Sequence, residues 1–365
     1  MMFKGRRIRQ ARELRRLTQG ELARLIGKSQ AAVAHAERGF KEPSADLVSA
    51  VALQTRFPIS FFTTDPPVDF PVEVLLFRAR STMTRREAQA AARYAEIIFE
   101  MGLNLSPYVT TLPLKLEKSG GSPVEAAREA RRWLGLSPDE PIRHLVNTME
   151  RAGILVLAIP LEEQSDIDAF SAWIQNTPVV ALCAGKTAGD RKRFSAGHEL
   201  GHLVLHFDKN IRSNEHKEAD EFSAELLLPE KAMRREISSP VTLTSLAALK
   251  PRWGVSIQAL VYRAHQLGII ADRQYRYLFE QISIRGWRTR EPENLDIPVE
   301  KPRTLRKIVE LLPFGNNISH LAAELHLSVE NVQEILNVYD GMTEVSPTDQ
   351  QPVSSKIIPL KSKRA

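Results

Sequence analysis

Residues 194–206 read FSAGHELGHLVLH, and the spacing of the histidines in this stretch decides how the middle of the chain is understood. His198 and His202 stand four residues apart, so on a helix both imidazoles leave one face and can bind a single metal ion. Glu199 beside them has the character of a base for water activated by zinc. Leu200, Leu203, Val204 and Leu205 surround the ligands with apolar side chains. The pattern predicts a helix capped by Asp190 and running to about Phe207. Gly201 is a poor helix former, by about 1 kcal/mol relative to Ala, so its presence predicts a neighbour packed closely against the backbone.

Upstream, Gly153 to Leu161 reads as a buried strand. Phe170–Ile174 and Val179–Cys183 read as a hairpin around Gln175-Asn176-Thr177-Pro178. Downstream, EADEFSAELLLP (218–229) predicts a second, acidic helix. A catalytic zinc takes three protein ligands and keeps one position open. The extended metzincin pattern requires a histidine six residues after His202, where Asp208 stands, so that class is disfavoured. His206 lies on nearly the same face as the pair, but one straight helix does not easily wrap three ligands around a tetrahedral centre. A carboxylate from the next helix fits better. Glu218, Glu221 and Glu225 share one face, and spacing alone does not choose among them. Asp220 or Glu221 is placed to orient a ligand imidazole through its second nitrogen.

The first 68 residues carry a different signature. Residues 4–16 have helical apolar spacing, and Thr18-Gln19-Gly20-Glu21 is a capping box that opens a second helix. Gly27 supplies the corner, Ser29 caps a third helix that closes at Glu37-Arg38-Gly39, and small Ala23 with Val33 lets the two helices pack. This is a helix-turn-helix. Residues 1–46 hold eleven Lys/Arg against five Asp/Glu, a surplus equal to the net charge of +6 for the whole chain, which points to a nucleic-acid-facing module. In such a module the third helix enters the major groove. Gln30 is then the base-reading candidate, with Gln19, Lys28 and Ser29 on phosphate.

Length and composition, 365 residues with 43% hydrophobic and 26% charged, suit several domains of an ordinary globular protein. The longest apolar runs are strand-sized, and the N-terminus lacks a signal-peptide pattern, so a cytoplasmic protein without membrane contact is expected. The single Cys183 excludes an internal disulfide and a cysteine zinc cluster, leaving His and carboxylates for any metal. Pro66, Pro67 and Pro71 mark a linker, followed by a connector whose Arg-rich helices, Met83 to Met101 and Pro123 to Leu134 with Ser122 as cap, read as solvated. Pro292, Pro298 and Pro302 mark another linker. Beyond it Leu305–Leu312, Ile318–Leu325 and Val329–Val338 read as short helices, a second helix-turn-helix-like pair that lacks basic residues and suits packing or protein contact. A basic tail follows from Ser346.

Two families share these residues. Leu17-Thr18-Gln19-Gly20-Glu21-Leu22-Ala23, Gly27-Lys28-Ser29-Gln30, Val33, Glu37-Arg38-Gly39 and Pro43-Ser44 resemble the XRE, or phage-repressor, helix-turn-helix. Arg193-Phe194, the His198–His202 motif, His206, Glu218-Ala219-Asp220, Phe222-Ser223-Ala224 and Leu226–Pro229 resemble the ImmA/IrrE metallopeptidases, as do Phe77–Ser81, Val255-Ser256 and Ala259–Ala264. Ser223 stands where that family usually has Ala. The second resemblance implies a zincin-like fold in which the acid before the Ala-Asn/Asp pair, here Glu218, is the third ligand of Zn2+ alongside His198 and His202, with Glu199 as catalytic base. Tyr262, Arg263 and His265 are candidates for the oxyanion, each reading more readily as structural.

The expected architecture is multidomain and mainly α. A five-helix XRE-type helix-turn-helix (1–68) precedes a helical connector (69–135) and an α+β minimal zincin-like metallopeptidase domain with a small sheet (136–285). A small helical domain (286–345) and a disordered basic tail (346–365) complete it. The expected activity is hydrolysis of a peptide bond in a protein substrate, by resemblance a helix-turn-helix repressor, by a DNA-binding chain that can pair as a homodimer. The alternative is a DNA-binding regulator or antitoxin whose zinc domain senses without cutting. Self-cleavage within the connector is a third reading.

Overall fold

The first helices form where the capping residues dictate. In the computed structural model, which describes residues 2–70, 72, 84–105, 113–160, 168–184, 188–206, 214–312 and 317–340, the N-terminal module consists of α1 (Gly5–Leu14), α2 (Gln19–Leu25), α3 (Gln30–Arg38) and α4 (Ala45–Thr55). A 3-10 turn, Ile59–Thr63, stands where the fifth helix was expected. Thr18 and Glu21 form the reciprocal capping box, Ser29 Oγ accepts from Ala32 N at 3.2 Å, and Ser44 caps α4. Gly27 and Gly39 turn the chain with φ of +63° and +70°, the left-handed region that glycine enters without a Cβ clash.

Among the described residues three strands form the sheet, β1 (Leu155–Ile159), β2 (Ala169–Ile174) and β3 (Thr177–Cys183), in the order β1-β3-β2. β1 runs parallel to β3 and β2 antiparallel to it. The hairpin turn is tighter than the four residues expected: Ile174 pairs with Thr177, so Thr177 and Pro178 belong to β3. Gln175 and Asn176 alone make the turn, both at positive φ, as a two-residue hairpin matched to strand twist requires. Both faces of the sheet are buried. Leu157, Ile159, Phe170, Ala172, Val179 and Ala181 join one core, whereas Val156, Val180 and Leu182 join the other. The alternation follows from the period of two along each strand.

Helix α5 (Arg85–Leu105) corrects the reading of a solvated connector. It packs against α1 on one side and against β1 on the other, and Ala88, Ala91, Ala92 and Ala95 are fully buried. Its charged residues are paired inside. Glu96 accepts from Gln10 Nε2 and Phe70 N, both at 2.9 Å, Arg93 bonds Glu96 at 2.7 Å, and Arg7 of α1 bonds Glu100 at 2.5 Å. The polar sequence misled because arginine stems bury well when their guanidinium groups find carboxylates. In α6 (Pro123–Trp133) backbone carbonyls serve instead, where Arg131 is buried and donates to Ser137 O at 2.9 Å. The core therefore does not break at the proline-rich segment near 68, since Val68, Phe70 and Val72 are buried in it.

Helix α7 (Leu145–Arg151) precedes the sheet, and the remaining helices follow it. These are α8 (Gly189–Leu205), α9 (Glu215–Leu227), α10 (Glu230–Glu236), α11 (Leu243–Trp253), α12 (Ile257–Gln266) and α13 (Asp272–Ile284), then α14 (Thr304–Leu311), α15 (Ile318–Glu324) and α16 (Val329–Asp340). α8 begins one residue before Asp190, which is not its cap. Asp190 is buried and binds Lys250, which also donates to Glu291 at 2.8 Å. Residues 291–300, expected as a linker, form a strap instead. Glu291 also accepts from Ile257 N, and Glu300 accepts from Val146 N at 2.7 Å and from Arg193. Helices α14–α16 pack into the first core, and the Tyr339 hydroxyl accepts Ala158 N of β1 at 3.0 Å. This supports the packing role expected for the C-terminal pair. The resemblance at Phe77–Ser81 and the tail from Ser346 lie outside the described residues.

The strap crosses the start of α8 at Gly189, where an added Cβ would lie 2.1 Å from the Ile297 carbonyl oxygen. Backbone cannot yield as a side-chain tip does, so Gly189→Ala is expected to destabilise the protein by about 1–3 kcal/mol. Urea denaturation of the two proteins measures this, and unchanged stability would contradict the strap.

Candidate metal centre and nucleic-acid interface

Helices α8 and α9 lie side by side, brought close by two glycines. At Gly201 an added Cβ would stand 3.0 Å from the Phe222 ring and 3.2 Å from Ala219 Cα, the close neighbour that the sequence predicted. At Gly197 it would stand 2.5 Å from Ser223 Oγ, and that hydroxyl donates to Phe194 O at 3.0 Å. Ser223 thus ties the two helices where an alanine would merely pack.

This approach brings histidines from both helices together. His198 Nε2 lies 3.1 Å from His202 Nε2 and 3.3 Å from Nδ1 of His216, a residue of α9. One ligand atom from each of the three lies within 4.8 Å of the others. Zinc–nitrogen bonds of about 2.0–2.1 Å at tetrahedral angles place ligand nitrogens about 3.3 Å apart, so the spacing suits one ion. The tautomer of His198 agrees. Its Nδ1 donates to Asp220 Oδ1 at 2.7 Å, so the Nε2 of the neutral ring presents a lone pair towards the other two rings. Asp220 thus takes the orienting role expected of it or of Glu221, while Glu221 faces Lys217.

Glu218 does not join this group. Its Oε2 meets His206 Nε2 at 2.8 Å, and its Oε1 accepts from Asn214. Glu225, another carboxylate on the same face, is buried and pairs with buried Arg263 and exposed Arg128. The reason lies in helical phase. On α9 the residue four before Asp220 is His216, and the pair shares the face turned to His198, whereas Glu218 points towards the end of α8. A histidine four residues before the orienting acid was the available signal, and a search confined to carboxylates passed over it. His206 leaves the helical path as the residue after Leu205, with φ −115° and ψ 52°, and its Nδ1 lies 2.9 Å from His202 Nδ1. A second group of possible ligand atoms comprises His202, His206 and Glu215.

Glu199 is buried at 4% exposure, and its Oε2 accepts from Ser171 Oγ of β2 at 2.7 Å. Arg263 donates to Leu228 O and pairs with Glu225, and His265 pairs with Asp272 at 2.7 Å, so both have structural partners. Tyr262 is half exposed. Burial pushes the Cys183 thiol well above its usual range, which leaves it unreactive.

At the other end, Lys28, Ser29 and Gln30 are exposed at the N-terminus of α3. Gln19 is less free: its Nε2 donates to Glu37 Oε2 at 2.8 Å. Glu37 in turn holds Arg12 in a bidentate pair. Part of the basic surplus is therefore internal, since Arg7 and Arg12 are buried and paired with acids. Arg24, Lys28, Arg38 and Lys41 remain exposed around α3.

Residues 8–62 match the family model described as helix-turn-helix, and residues 149–265 match the model described as IrrE N-terminal-like domain, a peptidase family. Both resemblances read from the sequence hold over these spans. No curated protein matches the chain. Over these two spans the chain thus resembles the XRE-type helix-turn-helix and the ImmA/IrrE metallopeptidases. Among the described residues no helix is long and apolar enough to cross a membrane.

The convergence of three imidazoles makes a prediction about metal content. Full-length protein loaded with zinc and dialysed should retain about one ion per chain, and His216→Ala should lose it. Retention by the variant, measured by atomic emission, would remove His216 from the site.

Proposed function

We propose that this chain is a DNA-binding regulatory zinc endopeptidase. His198, His202 and His216 would hold the zinc, and Glu199 would act as general base towards a peptide bond of a protein substrate. The observation that carries the reading is a buried carboxylate adjoining three converging imidazoles, because a purely structural zinc needs ligands but no base. The family whose model matches residues 149–265 uses zinc in general. A zinc ion at this site supplies Lewis acidity, polarising the scissile carbonyl and acidifying water.

The chain's own residues do the rest. The Ser171 hydroxyl engages Oε2 of Glu199, which fixes the carboxylate rotamer and leaves Oε1 to take the proton of the attacking water. The same oxygen then delivers that proton to the departing amide nitrogen. Asp220 keeps the His198 ring in the tautomer that faces the other histidines. Among the described residues β2 stands at an edge of the sheet, and an extended substrate segment would lie alongside it near Ser171. This suits an unfolded stretch of polypeptide better than a folded surface. The resemblance of residues 8–62 to repressors makes a helix-turn-helix repressor the substrate of choice, recruited to the DNA that both proteins bind.

The decisive comparison is cleavage of a repressor encoded beside this gene by wild-type protein and by Glu199→Gln. The wild type should cut it, and the variant should hold zinc while losing at least a hundredfold in rate, the size of a general-base contribution. Equal cleavage would sink the assignment. Cleavage by neither, with DNA binding intact, would favour the regulator that senses without cutting, and a shortened form of the chain that vanishes in Glu199→Gln would indicate self-cleavage.

DNA binding has its own test. Lys28→Ala should weaken binding to all sequences alike and reduce the slope of log affinity against log salt by about one, as loss of one phosphate contact does. Gln30→Ala should cost about 1–3 kcal/mol on the preferred site and little on others. A loss confined to the preferred site in Lys28→Ala, measured by fluorescence anisotropy, would contradict the assigned roles.

A further inference from the structure

Glu218, His206 and His202 form a line. Glu218 Oε2 lies 2.8 Å from His206 Nε2, and His206 Nδ1 lies 2.9 Å from His202 Nδ1. His202 Nε2 then faces His198 Nε2 at 3.1 Å. Proton positions along this line follow from donor and acceptor inventory. A carboxylate only accepts, so the proton between Glu218 and His206 resides on His206 Nε2. The neutral His206 ring is then an acceptor at Nδ1, and the proton shared with His202 resides on His202 Nδ1. The Nε2 of His202 is left as a lone pair directed at His198 and His216. His202 is fully buried and His206 is 8% exposed, so water does not compete for the bond between the two rings.

Resting on the zinc site proposed above, we propose that Glu218 and His206 are positioning residues of a carboxylate–histidine–histidine relay that fixes the tautomer of His202 and strengthens it as a ligand. The resemblance to the family would make Glu218 a direct ligand. Here it acts two imidazoles away, and its second oxygen is held by Asn214. The two histidines on α8 thereby receive parallel support, His198 from Asp220 directly and His202 from Glu218 through His206. The device follows from the backbone, because His206 has left the helical path and its ring lies beside the His202 ring with centroids 5.0 Å apart. The bond between the two rings also answers the other use of this cluster, a cation held by His202, His206 and Glu215. A proton shared by the two Nδ1 atoms leaves no lone pair on His202 for a second ion.

The test is made on the full chain, loaded with zinc and labelled with 15N at histidine. Long-range proton–nitrogen spectra should show His202 protonated at Nδ1 and His206 at Nε2. By competition with a chromophoric chelator, His206→Ala and Glu218→Gln should each weaken zinc binding about 10–100-fold. The double variant should be no weaker than His206→Ala alone, because both act through one path. Matching thermal unfolding of the metal-free proteins separates these effects from loss of fold. Loss of zinc in Glu218→Gln as complete as in His216→Ala would make Glu218 a ligand and overturn the relay. So would a second zinc ion per chain that disappears in His206→Ala, or zinc held equally by wild type and both variants. A wild type that holds no zinc would overturn the metal site itself along with the relay.

Discussion

The distance between α8 and α9 governs everything at the site, and two residues without side chains set it. Gly201 admits the Phe222 ring and the Ala219 backbone, and Gly197 admits Ser223. Any larger side chain would push the helices apart, and His216 on α9 would no longer lie within ligand distance of His198 on α8. Glycine inside a helix costs about 1 kcal/mol of helical stability relative to alanine. Here that cost is offset by the packing of a fully buried phenylalanine and by a hydrogen bond from Ser223 across the interface.

The rigidity of this helix pair comes from what surrounds it. The sheet has one face against the core that holds α8, α9 and α12, and the other against a core that includes α1, α5 and α14–α16. A two-faced sheet of only three strands is a stiff platform, because each strand is buried on both sides and its edge at β1 is met by the Tyr339 hydroxyl. Ser171, which engages Glu199, projects from this platform, so the carboxylate is referenced to the sheet as well as to its own helix. The strap at 291–300 completes the frame by pinning the start of α8 through Glu291, Glu300 and the contact at Gly189.

The platform also joins the two modules physically. Helix α5 packs on α1 of the helix-turn-helix module and on β1 of the sheet, with the Arg7–Glu100 and Arg93–Glu13 pairs buried between α1 and α5. Buried ion pairs add little net stability, since desolvation offsets the attraction, but breaking one leaves an uncompensated charge. Their effect is to hold α1 against α5 in one register. The helix-turn-helix module and the sheet therefore share one packed element, α5.

How much of this was legible in the sequence differs from residue to residue. The capping box at Thr18, the turns at Gly27 and Gly39, the hairpin and the His198–His202 helix were all readable, because each depends on neighbours within four residues or on periodic burial. Gly201 announced a close contact without saying with what. Only the structure places a third imidazole beside the pair: His216, Glu218, Glu221 and Glu225 differ by their phase on α9 relative to a partner helix, and phase between helices is fixed by packing. The buried role of the Arg-rich helices was hidden for a related reason. A guanidinium looks solvated in sequence until tertiary structure supplies the carboxylate that lets it be buried, and Glu100 for Arg7, Glu13 for Arg93 and Glu225 for Arg263 come from far along the chain. Sequence by itself determined the local elements and the chemistry they carry; the tertiary structure decided which of those groups meet, because only long-range packing brings together residues that no local rule relates.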